Sequence, residues 1–351
     1  MAPSRFPVLD TVRGLAFLMV VFAHLGQARG LATTGLSQFG VWIFFVLSAF
    51  LLSRPFFEEP ARVRNPTEIK AYLWRRTLRI FPPLALSLAA FGLVFPSFTW
   101  KACGEIFLCA RVYGIFWTVF IETRYYLLLP LVVAAILALK SKPKGLFAVL
   151  AAGIALHVYD CPYWLPPHHW WAISSAAGPA STWTSREHLF FQYLPILVSG
   201  TLLAAAHCAM AVSHAGIERM RKWAPIGFVV ALSGFAAFSA AELGLLPSQS
   251  GTRYPHEVLW LPLLPLPLAL VFCAASLTGG LARFFAHPVL RYFGMISYSG
   301  YLFHEIFVKQ FNPLIQGTVL YVCAVLSATL AVATASHYLI ERPCMRFSRR
   351  P

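Results

Sequence analysis

Residues Leu9–Gln27 read LDTVRGLAFLMVVFAHLGQ. The run is apolar and close to the roughly 20 residues that span a bilayer, yet it contains Asp10, Arg13 and His24. Ionisable groups are costly in hydrocarbon and tend to face a protein interior or a wet cavity. Arg13 and His24 lie eleven positions apart, which is roughly 1100° of helical turn, about 20° past three whole turns. They share one face, roughly 16 Å apart along the axis. Asp10 joins the same side as an i, i+3 partner of Arg13. The helix carries one charged stripe, and something polar must lie opposite it.

Working outward, 58% of the 351 residues are hydrophobic and 12% are charged, about half the charged fraction usual in a soluble domain. Apolar runs of membrane-spanning length recur along the whole chain. The pattern predicts an all-α, polytopic membrane protein of about ten transmembrane helices in one bundle. The N- and C-termini are placed in the cytoplasm, and residues 5–346 form a single transmembrane domain. A net charge of +15 could suggest nucleic acid until the basic residues are placed. With a cytoplasmic N-terminus, only Arg29, Lys101, Arg111, Arg186, Arg253 and Lys309 fall outside, with Arg13 and Arg124 inside spans. The rest gather on the inner side, which the positive-inside rule explains without a nucleic-acid partner. The first segment keeps its charges within the apolar run and lacks a convincing A-x-A site, so it reads as a retained span.

The expected spans are Leu9–Ala28, Leu36–Ser53, Ile80–Phe98, Gly114–Leu139, Gly145–Val158, Leu189–Ala206, Ala224–Glu242, Val258–Leu277, Phe293–Phe311 and Gly317–Ile340. A long cytoplasmic loop after span 2 closes with Arg75, Arg76 and Arg79. The longest outer loop, Tyr159–His188, is rich in Pro, Trp and His, and its His168 and His169 read as part of an interfacial belt. The seven cysteines are scattered and read first as buried small hydrophobes, although the topology permits a Cys103–Cys161 disulfide between outer loops. His304-Glu305 lacks a second His four residues on, so it is not H-E-x-x-H, and no metal is expected.

This topology gives three ionisable groups one depth. His24, Glu122 and His304 each lie roughly 6–12 Å below the outer boundary. Each has a plainer reading: His24 and His304 as helix–helix hydrogen bonders, Glu122 as a partner of Arg124 or a protonated acid, and Arg75, Arg76 and Arg79 as interface anchors. Together they suit another chemistry. A neutral His can take a proton from a hydroxyl as that hydroxyl attacks a carbonyl, provided a second group fixes its tautomer. Asp10 cannot be that group for His24, because fourteen positions separate them by roughly 21 Å. Glu122 and His304 are the candidates at the right depth. Arginines at the other end suit an anionic donor, since guanidinium matches phosphate in a bidentate way. No G-x-x-x-x-G-K-[ST], G-x-G-x-x-G or G-x-S-x-G is present, so nucleotide-driven transport, dinucleotide chemistry and a serine-hydrolase elbow find no support.

The motifs, in order, resemble those of the acyltransferase-3 family of integral membrane O-acyltransferases. LDTVRGLAFLMVVFAH resembles its L-D-x-x-R-G-x-A opening with the Arg-x10-His pair, and GVWIFFVLSAFL its G-V-x-x-F-F-V-L-S-G-F. WRRTLRIFPP, WTVFIETRYYLLLP, GMISYSGYLFH and HYLIERP follow in family order to Pro343. The resemblance implies transfer of an acyl group, commonly acetyl from acetyl-CoA, to a hydroxyl of a sugar, surface glycan or similar acceptor. It implies a multi-pass protein of the bacterial cytoplasmic (inner) membrane, with acyl-CoA as a substrate and no permanently bound cofactor. It puts His24, Glu122 and His304 in catalysis and Asp10, Arg13, Arg75, Arg76 and Arg79 at the donor. Trp42 and Ala49 depart from the pattern, standing where an acidic residue and Gly are usual. The rival class is a transporter or flippase of a glycan or lipid-linked precursor.

Overall fold

The first helix, α1 (Pro7–Ala28), begins with proline, whose missing N–H costs nothing there. It ends in a turn built on Gly30 at φ +82. There Leu31 N donates to Gly26 O and Gly30 N to Gln27 O, the paired bonds that close a helix around a left-handed glycine. The computed structural model describes residues 6–31, 33–139, 186–242 and 264–347. The expected span 5, the outer loop with Cys161, His168 and His169, and the first part of span 8 lie outside the described residues.

All regular structure among the described residues is helical. After α1 come α2 (Thr34–Glu58), a 3-10 turn (Pro60–Arg64), α3 (Pro66–Val94), the short α4 (Trp100–Phe107), a 3-10 turn (Gly114–Phe116) and α5 (Trp117–Leu139). The later helices are α6 (Arg186–Ala211), α7 (His214–Glu242), α8 (Pro265–Ser276), α9 (Gly279–Phe285), α10 (Pro288–Phe311) and α11 (Thr318–Ser336). A π-helical turn (His337–Glu341) leads into α12 (Arg342–Phe347).

Among the described residues seven helices are long and apolar enough to cross a membrane, or eight if the bent pair α8 and α9 is one span. Large apolar side chains such as Leu93, Leu127, Leu131, Val230 and Leu320 are exposed. Apolar surface on that scale needs a cover that water does not provide, so the chain is a multi-pass membrane protein. The α8–α9 bend of 108° was not expected. It turns at Thr278 and Gly279, where Gly279 has φ +76, a conformation that favours glycine.

Two sequence readings are corrected. The loop expected before span 3 is mostly helical, because α2 continues to Glu58 and α3 already starts at Pro66. Asn65 caps α3 by accepting from Thr67 N at 3.0 Å, and proline follows at the first helical position, a strong start signal. Arg75, Arg76 and Arg79 thus sit roughly 13–20 Å into a helix and not in a loop. Arg54, placed in that loop, is 8% exposed. Its guanidinium covers the Phe6 ring at 4.2 Å and lies 3.3 Å from His207 Nδ1. Cys103 is a free thiol. It is buried and donates to Leu88 O at 3.4 Å, in line with the reading of the cysteines as buried small side chains.

By packing, the chain divides into two units. One comprises Met1–Arg54 and Gly200–Tyr338, the other Pro55–Ser199 and Leu339–Pro351. The core of the first is α1 against α10, with α11 on the far side of α10 and α7 against α8. A Cβ on Gly294 would overlap the Asp10 carbonyl, and one on Gly14 would lie 2.8 Å from Gly294 N. Small residues let membrane helices approach this closely. Further along, Gly300 leaves room for the Phe17 ring. In the second unit α3 packs against α4, α5 and α12.

Candidate active site

The contacts between α1 and α10 fall in the same order along both helices. Asp10 meets Arg291, Gly14 meets Gly294, Phe17 meets Gly300, and His24 meets His304. Beyond them Arg29 donates to Ile315 O. The sequence separations are 281 at the first pair and 280 at the histidines, so the two helices run parallel and nearly in register. One rigid pair therefore carries two polar clusters, roughly 21 Å apart along its axis.

At the later end, His24 Nδ1 lies 2.7 Å from His304 Nε2. The rings are coplanar, with centroids 5.0 Å apart. That separation exceeds the nitrogen contact by about two ring radii, so both nitrogens lie on the line of centres. The rings meet edge to edge through a hydrogen bond and are not face-stacked. His304 is fully buried while His24 is partly open. The second nitrogen of His304, Nδ1, lies 2.6 Å from Tyr301 O.

These contacts decide the tautomers of the neutral rings. A carbonyl oxygen only accepts, so His304 Nδ1 carries hydrogen. His304 Nε2 is then an acceptor, and His24 Nδ1–H donates to it. This leaves the lone pair on His24 Nε2, which makes no hydrogen bond to another described residue. The chain Tyr301 C=O, His304, His24 thus holds one imidazole nitrogen basic and fixes its ring. Glu305, next to His304, turns away to pair with Lys309 at 2.7 Å.

At the earlier end, Asp10 stands between two guanidiniums. Arg291 Nη2 lies 3.4 Å from Asp10 Oδ2 and Arg13 Nη1 lies 3.9 Å from Asp10 Oδ1. The i, i+3 pair read from sequence is present, but the closer partner is Arg291, which sequence reasoning left among the inner loop charges. Its signal was available: Arg291 lies three residues after Pro288, within the first turn of a helix whose other end carries His304.

Glu122 belongs to the second unit. There Tyr126 Oη donates to Glu122 Oε2 at 3.0 Å. Arg76 and Tyr72 on α3 are electrostatic neighbours of this group, Arg76 of Tyr126 and Tyr72 of Glu122. The acid expected at outer depth and an arginine expected at the inner boundary therefore share one cluster. The early start of α3 is the reason, since it carries Arg76 deep along the helix. Arg75 and Arg79 lie beside Arg76 on α3 and are partly exposed. Tyr72 and Tyr126, both buried, were missed, Tyr72 because its stretch was read as a loop and Tyr126 because an aromatic in a span reads as core.

Residues 6–338 match the acyltransferase-3 family model, described as an acyltransferase domain. The chain belongs to this family. It is also similar to a protein of Acidianus two-tailed virus named "Putative acetyltransferase ORF330", 28% identical over 216 residues. That match covers 54% of this chain and 63% of the viral protein, so the chain spans less than two-thirds of the relative's length. No solved structure matches the chain.

Proposed function

We propose that the protein is a membrane O-acyltransferase that moves an acyl group, acetyl in the simplest case, from acyl-CoA to a hydroxyl of a sugar or surface glycan. The observation that carries this reading is the Tyr301–His304–His24 chain. His24 Nε2 takes the proton of the acceptor hydroxyl as its oxygen attacks the thioester carbonyl. The imidazolium that forms is steadied through Nδ1–H by His304, which therefore fills the supporting place that sequence left open between His304 and Glu122. When the C–S bond breaks, the same proton passes from His24 to the departing thiolate, leaving the O-acyl product and free CoA. Arg13 belongs to the donor end, held by Asp10. On the family resemblance Arg75, Arg76 and Arg79 are assigned to donor phosphates.

His24→Ala should lower transfer at least about a thousandfold while the protein still accumulates in membranes. The measurement is transfer of label from radiolabelled acetyl-CoA to envelope glycans. Retained transfer would remove His24 from the chemistry. Labelling that never depends on the protein would remove the acetyl donor.

A further inference from the structure

We infer that Arg291 is a second anion-binding residue, paired with Arg13 across Asp10, and that it takes a phosphate of the acyl donor; this rests on the acyl-CoA reading above. Two guanidiniums approach one carboxylate, that of Asp10. The Asp10 contacts are single and long, 3.4 and 3.9 Å, unlike the short bidentate fork that arginine and carboxylate form when they satisfy each other. Arg291 Nε is buried and has no hydrogen-bond partner among the described residues. A buried N–H of a charged group without an acceptor is costly, and a phosphate oxygen is the acceptor that a guanidinium fork fits best. The cluster is also open to a ligand, with the Arg291 side chain 33% exposed and Asp10 25%.

Its place in the fold supplies the second argument. The close backbone approach at Gly14 and Gly294 fixes Asp10 and Arg291 relative to each other. The same helices carry the His24–His304 pair roughly 21 Å further along. That span is comparable to the reach of an extended pantetheine arm between its phosphate and its sulfur. The α1–α10 pair is thus a ruler, with anion contacts at one end and the proton acceptor for thioester chemistry at the other. Asp10 keeps the two cations together when no donor is bound, and the unpartnered N–H there is Arg291 Nε.

The test is CoA binding by calorimetry, with the full chain in nanodiscs of phosphatidylcholine, with and without phosphatidylglycerol. Arg291→Gln should weaken CoA about ten- to a hundredfold, and Arg291→Lys should weaken it less, with both unliganded proteins melting as the wild type does. Unchanged CoA affinity in Arg291→Gln, with the wild type still binding, overturns the inference and leaves the acyltransferase reading standing. So does an equal loss in both variants accompanied by a lowered melting temperature, which marks a structural residue. If Arg291→Gln alters only the amount of phosphatidylglycerol retained, the occupant is a lipid headgroup and the inference also fails. A wild type that binds no CoA in either disc defeats the donor reading itself.

Discussion

The two ends of the α1–α10 pair are built from the same helices but do opposite things with charge. At one end Asp10 sits between Arg13 and Arg291, all three partly exposed. At the other, His24 and His304 meet through neutral ring nitrogens, and His304 is sealed from solvent. The first end keeps surplus N–H donors, and the second keeps one surplus lone pair. A buried charge needs a partner, so the ionic cluster stays where an anion can reach it. A tautomer needs only a carbonyl, so the histidine pair can sit deep, where the Tyr301 backbone sets it. On the proposed reading, one helix pair separates donor binding from proton transfer by distance alone.

The comparison depends on the register, and Gly294 is where it breaks most easily. Gly294→Ala places a methyl group on the Asp10 carbonyl, and neither backbone can move without parting the helices. We expect a loss of about 3 kcal/mol or more, seen as a collapse of monodisperse protein in detergent and of both clusters together. A wild-type melting curve would mean that the pair is not held there. Next in size is His304→Leu, which removes the acceptor of His24 Nδ1–H but leaves the base in place. Turnover should fall about a hundredfold or more, less than for His24→Ala, while the acetyl-CoA concentration for half-maximal labelling stays unchanged. A shift in that concentration instead would tie His304 to donor binding.

Much of this was legible in the sequence. Helical spacing put Asp10 and Arg13 on one side of α1, and the expected spans ran α1 and α10 in the same direction, as their contacts do. Direction and spacing together brought His24 and His304 to one depth, where they touch. The failures share a cause, which is that a polar stretch was read as a loop. Asn65-Pro66 is a helix start, but the charges around it hid the apolar period, so α3 was begun at Ile80. That misplaced Arg76, and with it the neighbours of Glu122. Arg54 and Arg291 were likewise counted as surface charges, because a cation at a span end normally reaches for water. Their partners lie more than 150 positions away, His207 and Asp10, which no local pattern encodes. The tautomer chain was beyond reach for the same reason, since a backbone carbonyl carries no signature in sequence.

Asp10→Asn should separate the two ends most cleanly. It removes the charge that Arg13 and Arg291 share, so the first end loosens while the histidine contact, held by its own turn of helix, persists. Half-maximal labelling should require about tenfold more acetyl-CoA, with turnover at saturation within about twofold of wild type. A large fall in saturated turnover would show that the ends are coupled through the helix pair and are not independent devices.

The smallest effect is expected in the other unit. Tyr126→Phe removes the hydroxyl that donates to Glu122 at 3.0 Å and keeps the buried ring. Losing the partner of a buried polar group costs about 1–3 kcal/mol, so the melting temperature should drop. Turnover at saturating acetyl-CoA should change by less than about fivefold if proton transfer runs through His304 as proposed. This variant discriminates between the two carboxylate and imidazole candidates that sequence left level. If Glu122 were the group steadying His24, releasing it from Tyr126 would reduce turnover as strongly as His304→Leu does. The ratio of the two effects, measured in the same membranes, decides which residue stands behind the base.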